Sequence, residues 1–152
     1  MRILTLLLGI LLISSCKKEK NGCNDYIIFG TYYGECGGEQ CIELYKLTAT
    51  ELFEDSKDNY PGTGIYNGTF SIKRDAAAYA LASNIESTIP VSLLNDTAAV
   101  IGCPDCADGG GVYLEYHKNG LHKVWHIDRT LTLPSDYVLF INQTVQKIQA
   151  LK

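Results

Sequence analysis

Two closely spaced pairs of cysteines are the residues whose types and spacing point most directly to chemistry. Cys36 and Cys41 flank a glycine-rich loop, and Cys103 and Cys106 form a Cys-x-x-Cys motif. In an oxidising compartment such cysteines form disulfides by default, and four cysteines allow three connectivities among which a sequence does not choose. Four thiolates could instead hold a tetrahedral zinc ion. We therefore expect structural disulfides at these positions, with zinc binding as the alternative.

A third interpretation of the Cys-x-x-Cys motif is a dithiol that exchanges disulfides with other proteins. Redox cysteines of this kind depend on a lowered thiol pKa, which a helix N-terminus often supplies. Here a glycine run and a strand follow the motif, and the neighbouring carboxylates of Asp105 and Asp108 would raise the thiol pKa. Exchange at Cys103 and Cys106 is therefore the weaker alternative.

All three histidines lie in a predicted β-hairpin near the Cys-x-x-Cys motif. Residues 112–116 and 121–128 are rich in β-branched and aromatic side chains, and Asn119-Gly120 favours the positive φ angles of a type I′ turn. Counting outward from this turn gives the facing pairs of the hairpin. They are Lys118 with Leu121, His117 with His122, Tyr116 with Lys123, Glu115 with Val124, Leu114 with Trp125, and Tyr113 with His126.

The two faces of this hairpin differ in composition, because successive side chains alternate between them. The predicted core face carries Val112, Leu114, Tyr116, Leu121, Trp125 and Ile127. The other face, which we expect to be exposed to solvent, carries Tyr113, Glu115, His117, His122, Val124 and His126.

A metal site is one interpretation of the exposed face. His117 and His122 could share one metal ion, since facing Cβ atoms are about 4.5 to 5.5 Å apart, and Glu115 could add an oxygen ligand. The competing interpretation is an ordinary solvent-exposed face that binds no metal. We therefore predict no cofactor, with zinc as the alternative.

No assembled catalytic set is recognisable in the chain. It contains neither a Gly-x-Ser-x-Gly nucleophile motif nor a His-Glu-x-x-His metalloprotease motif. The net charge of −4 and the absence of a basic cluster argue against nucleic-acid binding. Ten tyrosines suit an interaction surface, so binding is favoured over catalysis, although enzyme activity is left open.

The remaining chain supplies the elements that must position these residues. Residues 25–33, 42–47 and 52–53 have the patterns of strands. Apolar residues recur at helical spacing over residues 71–85, and Pro134 opens a second helix that extends to Leu151.

The order of strands, helix, hairpin and helix predicts an α+β fold. We expect an antiparallel β-sheet of four to five strands with two helices packed on one face, forming two layers. A loop over residues 55–68 and a short helical turn over residues 91–95 complete the predicted elements.

Three short motifs accompany this order of elements. They are Gly34-Glu35-Cys36 after the first strand, the CPDCAD stretch at residues 103–108, and Leu133-Pro134 before the last helix. In these features the chain resembles small bacterial envelope lipoproteins with an uncharacterised β-β-α-β-β-α domain. The resemblance covers most of residues 25–151. It implies a fold and no catalytic residues, because the family has no assigned activity.

The N-terminal residues have the pattern of an export signal. Arg2, an apolar run and small residues precede Cys16, and the run is too short to span a bilayer. Ile13-Ser14-Ser15-Cys16 resembles the lipobox of bacterial lipoproteins, in which the cysteine is lipidated and becomes the mature N-terminus. That resemblance implies a signal peptide over residues 1–15, with an ordinary secretory signal as the alternative.

The predicted mature chain has two parts. Residues 16–24 form the lipidated Cys16 and a polar tether, in which Cys23 has no predicted partner, and residues 25–152 form a single domain. We thus predict a lipid-anchored protein of the bacterial cell envelope, on the periplasmic side or the cell surface. Its predicted role is non-enzymatic binding of a protein or glycan, and the alternatives are zinc binding and, more weakly, thiol–disulfide exchange.

Overall fold

A computed structural model describes residues 25–36, 39–129 and 132–152. The predictions of a signal peptide, of lipidation at Cys16, of a tether and of an unpaired Cys23 lie outside these described residues. None of the helices in the described part is both long and apolar enough to cross a membrane.

Within the described residues, seven strands form one mixed sheet and four α-helices accompany it. The strands are β1 (Tyr26–Tyr32), β2 (Ile42–Leu47), β3 (Leu52–Asp55), β4 (Phe70–Lys73), β5 (Val100–Ile101), β6 (Gly111–Lys118) and β7 (Leu121–Asp128). The helices are α1 (Ala76–Ala82), α2 (Ile85–Thr88), α3 (Val91–Asn95) and α4 (Ser135–Leu151). The strand order across the sheet is β4-β3-β2-β1-β6-β7-β5, and every neighbouring pair is antiparallel except β5 with β7.

The predicted sheet of four to five antiparallel strands is wrong, because the sheet has seven strands and is mixed. The fold is still α+β. Strand β4 occupies the first residues of the predicted helix 71–85, since pairing of Glu54 with Ile72 overrides the helical spacing of Ile72. The two-residue strand β5 adds a parallel edge to β7 within a segment predicted to be irregular.

Helix α1 begins where its capping residue places it. Asp75 caps α1, and its carboxylate accepts a hydrogen bond of 2.8 Å from the Ala78 amide. The helix therefore starts at Ala76 rather than at residue 71. The short helix at Val91–Asn95 is as predicted, and α4 follows Pro134 through Leu151 as predicted.

The predicted register of the β6–β7 hairpin is confirmed at every pair, from Lys118 with Leu121 to Tyr113 with His126. Asn119 and Gly120 both have positive φ angles, 54° and 78°, as a type I′ turn requires. Leu121, however, was predicted to be a core residue and is exposed, because it lies directly beside the turn.

Both faces of the sheet are covered. The helices pack on the face of Trp125 and Ile127, and this main cluster includes Phe140 and Ile148 of α4. A second cluster lies on the opposite face, and its members are Ile28, Tyr32, Cys41, Ile42, Leu44, Tyr66 and Tyr113.

The expectation that this opposite face is open to solvent is therefore wrong for Tyr113, Glu115 and His126, which are buried. The segment between β3 and β4, residues 56–69, folds back over this face and takes up nearly all of the loop predicted at residues 55–68. The Tyr66 amide donates a hydrogen bond of 2.8 Å to the Tyr113 hydroxyl, which fixes the loop to β6. His126 contacts Gly64 of this segment and is only 1 % exposed, and Glu115, bonded to Tyr26 and Tyr113, is also 1 % exposed. Nearer the turn the face is accessible, at the partly exposed His117 and Val124 and at the exposed His122.

Candidate functional site

Glu115 lies at the centre of a buried hydrogen-bond network on the loop-covered face. Its Oε1 accepts a hydrogen bond of 2.7 Å from the Tyr26 hydroxyl, and its Oε2 accepts one of 2.7 Å from the Tyr113 hydroxyl. His122 Nε2 lies 2.9 Å from Oε1 and donates to the same carboxylate. Both carboxylate oxygens are thus bonded within the protein, which compensates for the burial of the acid.

The two tyrosines remain protonated donors to Glu115. Burial, followed by the hydrogen bond to Glu115, raises the pKa of Tyr26 to about 12. Burial also raises the pKa of Tyr113 well above its ordinary value, and Glu115 adds to this shift. Both tyrosines therefore stay protonated over the physiological pH range.

The three predicted metal ligands, His117, His122 and Glu115, lie close together in the structure, but they contact one another directly. The His117 ring lies 4.9 Å from the His122 ring in an edge arrangement and stacks on the Tyr26 ring at 4.8 Å. Throughout the described part of the chain, no three His, Cys, Asp or Glu residues are placed to hold a metal ion. Metal binding at His117, His122 and Glu115 stays a prediction.

His126, assigned to the exposed face from the sequence, connects the covering loop to the sheet. Its Nε2 lies 3.1 Å from the Gly64 carbonyl oxygen, which can only accept, so Nε2 carries the proton. Nδ1 lies 3.4 Å from the Tyr32 hydroxyl and accepts from it. Burial lowers the pKa of His126, so the ring is neutral in this position.

The four cysteines of the domain form two local disulfides. Cys36 is bonded to Cys41, and Cys103 is bonded to Cys106, with a Cα–Cα distance of 5.5 Å in each pair. The predicted disulfide bonding is therefore present, in one of the three connectivities that the sequence left open. Sulfurs joined in this way are not thiolate ligands, so the geometry gives no support to zinc at these four positions.

Asp105, between the two cysteines of the second disulfide, joins three separate loops. Its Oδ2 accepts hydrogen bonds from the Gly34 amide, at 2.7 Å, and from the Tyr60 hydroxyl, at 3.1 Å. Its Oδ1 accepts one of 3.1 Å from the Gly110 amide. We call the surface formed by residues 33–36, 56–65 and 102–110 the loop end of the domain.

Gly34 is required for this close approach. A Cβ atom at that position would lie 2.3 Å from Asp105 Oδ2, well inside van der Waals contact. The sequence indicated Asp105 only as a carboxylate that would raise the pKa of the neighbouring thiols. The only feature that distinguished it in the sequence was its place inside the Cys-x-x-Cys motif. Its hydrogen-bond donors Gly34 and Tyr60 lie in loops that are distant in the chain.

The loop end is also fastened to the hairpin. The Cys103 amide donates a hydrogen bond of 2.9 Å to the Asp128 carboxylate at the end of β7. Next to it, the Arg129 guanidinium donates a hydrogen bond to the Tyr33 hydroxyl and lies 5.1 Å from the centre of that ring. These contacts hold the disulfide loop against the edge of the sheet.

Two apolar side chains are exposed on the loop end. Tyr60 is 47 % exposed and Ile65 is 64 % exposed. Tyr60 is nevertheless fixed in position, because its hydroxyl bonds to Asp105 and its ring packs edge-on against the buried Tyr32 ring at 5.3 Å. The loop end thus combines exposed apolar surface with an ordered backbone.

No protein-family model, curated protein or solved structure matches this chain. The contacts of the chain's own residues are therefore the basis for assigning its function.

Proposed function

We propose that this protein is a lipid-anchored domain of the bacterial cell envelope that binds another protein through its loop end. The observation that carries this proposal is the set of three hydrogen bonds to Asp105. They order three loops around the exposed side chains of Tyr60 and Ile65.

The proposed location rests on the sequence and on the disulfides. The lipobox-like residues before Cys16 and the polar tether that follows support a lipid anchor. The two disulfides support an oxidising compartment, because cytosolic thiols are kept reduced.

The ordered loop end supports binding because ordering a loop during association costs free energy. Asp105 and the two disulfides order the loops before any partner arrives. Tyrosine is enriched at the energetically important positions of protein interfaces, since its ring offers a large contact area and its hydroxyl a hydrogen bond. Tyr60 has both an exposed ring and a fixed position, as such a residue requires.

The buried polar groups support a structural rather than a chemical role for this face of the hairpin. Glu115 is bonded to Tyr26, Tyr113 and His122, and His126 is bonded to Gly64 and Tyr32. The His126 contact fixes the covering loop to the sheet at Gly64, next to the exposed Ile65.

Site-specific photo-crosslinking in intact cells tests this proposal. A photoreactive amino acid replaces Ile65 on the loop end or, as a matched control, the exposed Val138 on α4. We expect a discrete protein adduct from position 65 and none from position 138. The adduct should weaken in a chain that also carries Tyr60→Ala.

Equal crosslinking from both positions would contradict a specific site at the loop end. Absence of any protein adduct from position 65 would also contradict a protein partner. A glycan, the other partner class predicted from the sequence, would give that second result.

A further inference from the structure

The two disulfides differ in how exposed their cysteine residues are. Cys103 and Cys106 are both exposed on the loop end. Cys41, in contrast, is only 3 % exposed and belongs to the cluster that fills the covered face of the sheet. An external thiol can therefore reach both cysteines of one disulfide but only Cys36 of the other.

This difference matters because disulfides are reduced by attack of a thiolate along the line of the S–S bond. Attack on Cys41 is blocked by the surrounding core. Attack on the exposed Cys36 would expel Cys41 as a thiolate inside an apolar cluster, where burial disfavours the charged form. The Cys36–Cys41 disulfide is thus protected against reduction from both directions.

The backbone beside the exposed disulfide is also strained. Asp105, Ala107 and Asp108 have left-handed φ angles of 62°, 52° and 60°. Residues with a Cβ atom adopt this conformation at a cost in free energy, and they keep it only where the surrounding structure imposes it. Of these three residues, only Asp105 lies between the two bonded cysteines.

Asp105 connects this disulfide to the other two loops of the loop end. It lies inside the ring that the Cys103–Cys106 bond closes, and its carboxylate bonds to the Gly34 amide and the Tyr60 hydroxyl. Opening the ring would free Asp105 to leave its left-handed conformation, and its carboxylate would then move away from these two partners. Gly34 and Tyr60 then lose their common contact.

From these observations we infer that Cys103–Cys106 is a reducible disulfide whose opening disorders the loop end. In this role the two cysteines are the target of an external thiol and not the attacking group. As regulation of partner binding, the inference rests on the proposed function. Reduced protein would bind its partner more weakly, because Tyr60 is no longer fixed.

The electron donor is a dithiol, such as a Cys-x-x-Cys reductase of the envelope. One donor thiolate attacks the Cys106 sulfur, the S–S bond breaks, and Cys103 leaves as a thiolate that takes a proton from water. The second donor thiolate then attacks the donor sulfur of the mixed disulfide and releases Cys106, which is also protonated. The donor is oxidised to a disulfide by two electrons, and the Cys103–Cys106 bond is reduced by the same two electrons.

The first measurement is selective reduction of the full chain, expressed with its own N-terminal segment, by dithiothreitol. Samples are quenched with iodoacetamide at intervals, and mass spectrometry locates the alkylated cysteines. We expect Cys103 and Cys106 to become alkylated at least about tenfold faster than Cys36 and Cys41. Equal rates for the two pairs would overturn the inference.

The second measurement is amide hydrogen exchange of the chain reduced only at Cys103–Cys106. The Gly34 and Gly110 amides, which donate to Asp105, should exchange about tenfold faster than in the oxidised chain, whereas amides of β6 should stay protected. The double variant Cys103→Ser/Cys106→Ser should reproduce this pattern without reductant. Unchanged exchange at Gly34 in either sample would overturn the link between the disulfide and the loop end.

Crosslinking from position 65 separates failure of this inference from failure of the proposed function. If the oxidised chain gives no adduct, the proposed function fails while the reduction and exchange results still stand. If oxidised and reduced chains give equal adducts, the proposed function stands and regulation by this disulfide is overturned.

Discussion

The carboxylate of Asp105 accepts a hydrogen bond of 3.1 Å from the hydroxyl of Tyr60, a residue 45 positions earlier in the chain. The same carboxylate bonds to the amides of Gly34 and Gly110. A loop residue between two cysteines thus sets the arrangement of two other loops.

Replacing Asp105 with alanine should therefore destabilise the domain. Asp105→Ala removes the acceptor of three hydrogen bonds, and the partly exposed donors can regain water, so we expect a loss of about 1–2 kcal/mol in the free energy of unfolding. Urea unfolding followed by circular dichroism measures it. Asp108→Ala is the matched control, since Asp108 also has a left-handed φ angle in the same loop but is exposed, and should change stability by less than about 0.5 kcal/mol. Equal effects of the two substitutions would show that the Asp105 contacts do not stabilise the loop end.

Removing the charge of Glu115 should weaken the covered face of the sheet. Glu115→Gln keeps one carbonyl acceptor but directs an amide donor toward a hydroxyl donor, so one tyrosine loses its partner. We expect a loss of about 1–3 kcal/mol in the free energy of unfolding. Thermal and chemical unfolding measure it, with the exposed Glu35→Gln as the control substitution. A wild-type stability for Glu115→Gln would mean that the network around this acid contributes little.

The stability of the domain should fall in mild acid because of His126. Burial lowers the pKa of His126 in the folded protein below its ordinary value of 6.5, so the unfolded chain binds the proton more strongly. The contribution of His126 is fully present above the unfolded pKa and is lost as the pH falls below about 6.5, with a slope of at most about 1.4 kcal/mol per pH unit.

Unfolding curves at pH 7.5 and pH 5 for wild type and His126→Gln isolate this contribution. The wild type should lose more stability than the variant between these two conditions, because glutamine does not titrate. An identical loss in both proteins would assign the pH dependence to other groups.

The proposed anchor predicts a change of location when Cys16 is replaced. Without a cysteine in the lipobox-like motif no lipid can be attached, so Cys16→Ser should lose the membrane association that buried acyl methylenes provide. Cell fractionation and the mass of the mature chain measure this change, with Cys23→Ser as the control. If Cys16→Ser stays in the membrane fraction with an unchanged mass, the anchor is not at Cys16.

Local patterns were sufficient for the elements whose structure depends on nearby residues. Asn119-Gly120 fixed the turn, and the turn fixed every pair of the β6–β7 register. The same holds for α4 after Pro134 and for the short helix at Val91–Asn95. In these segments, turn chemistry, proline position and apolar spacing all favour one structure.

The features that could not be predicted depend on contacts between distant segments. Strand β4 exists because Phe70–Lys73 pairs with β3, although Ile72 also fits a helical stripe. The exposed-face prediction failed because residues 56–69 contain polar and turn-forming residues typical of a solvent loop, yet Tyr66 packs into the second cluster. The role of Asp105 could not be predicted either, since its hydrogen-bond partners Gly34 and Tyr60 are far from it in sequence.

The missing Cβ of Gly34 has a consequence for how this protein can vary. A side chain at position 34 would collide with the Asp105 carboxylate, and a shorter residue at position 105 would remove that collision together with the bond to Tyr60. Substitutions at these positions should therefore be non-additive, because they share one partner. Among natural variants of this chain, positions 34, 60 and 105 should consequently evolve as an epistatic group, in which a change at one alters which residues are tolerated at the other two.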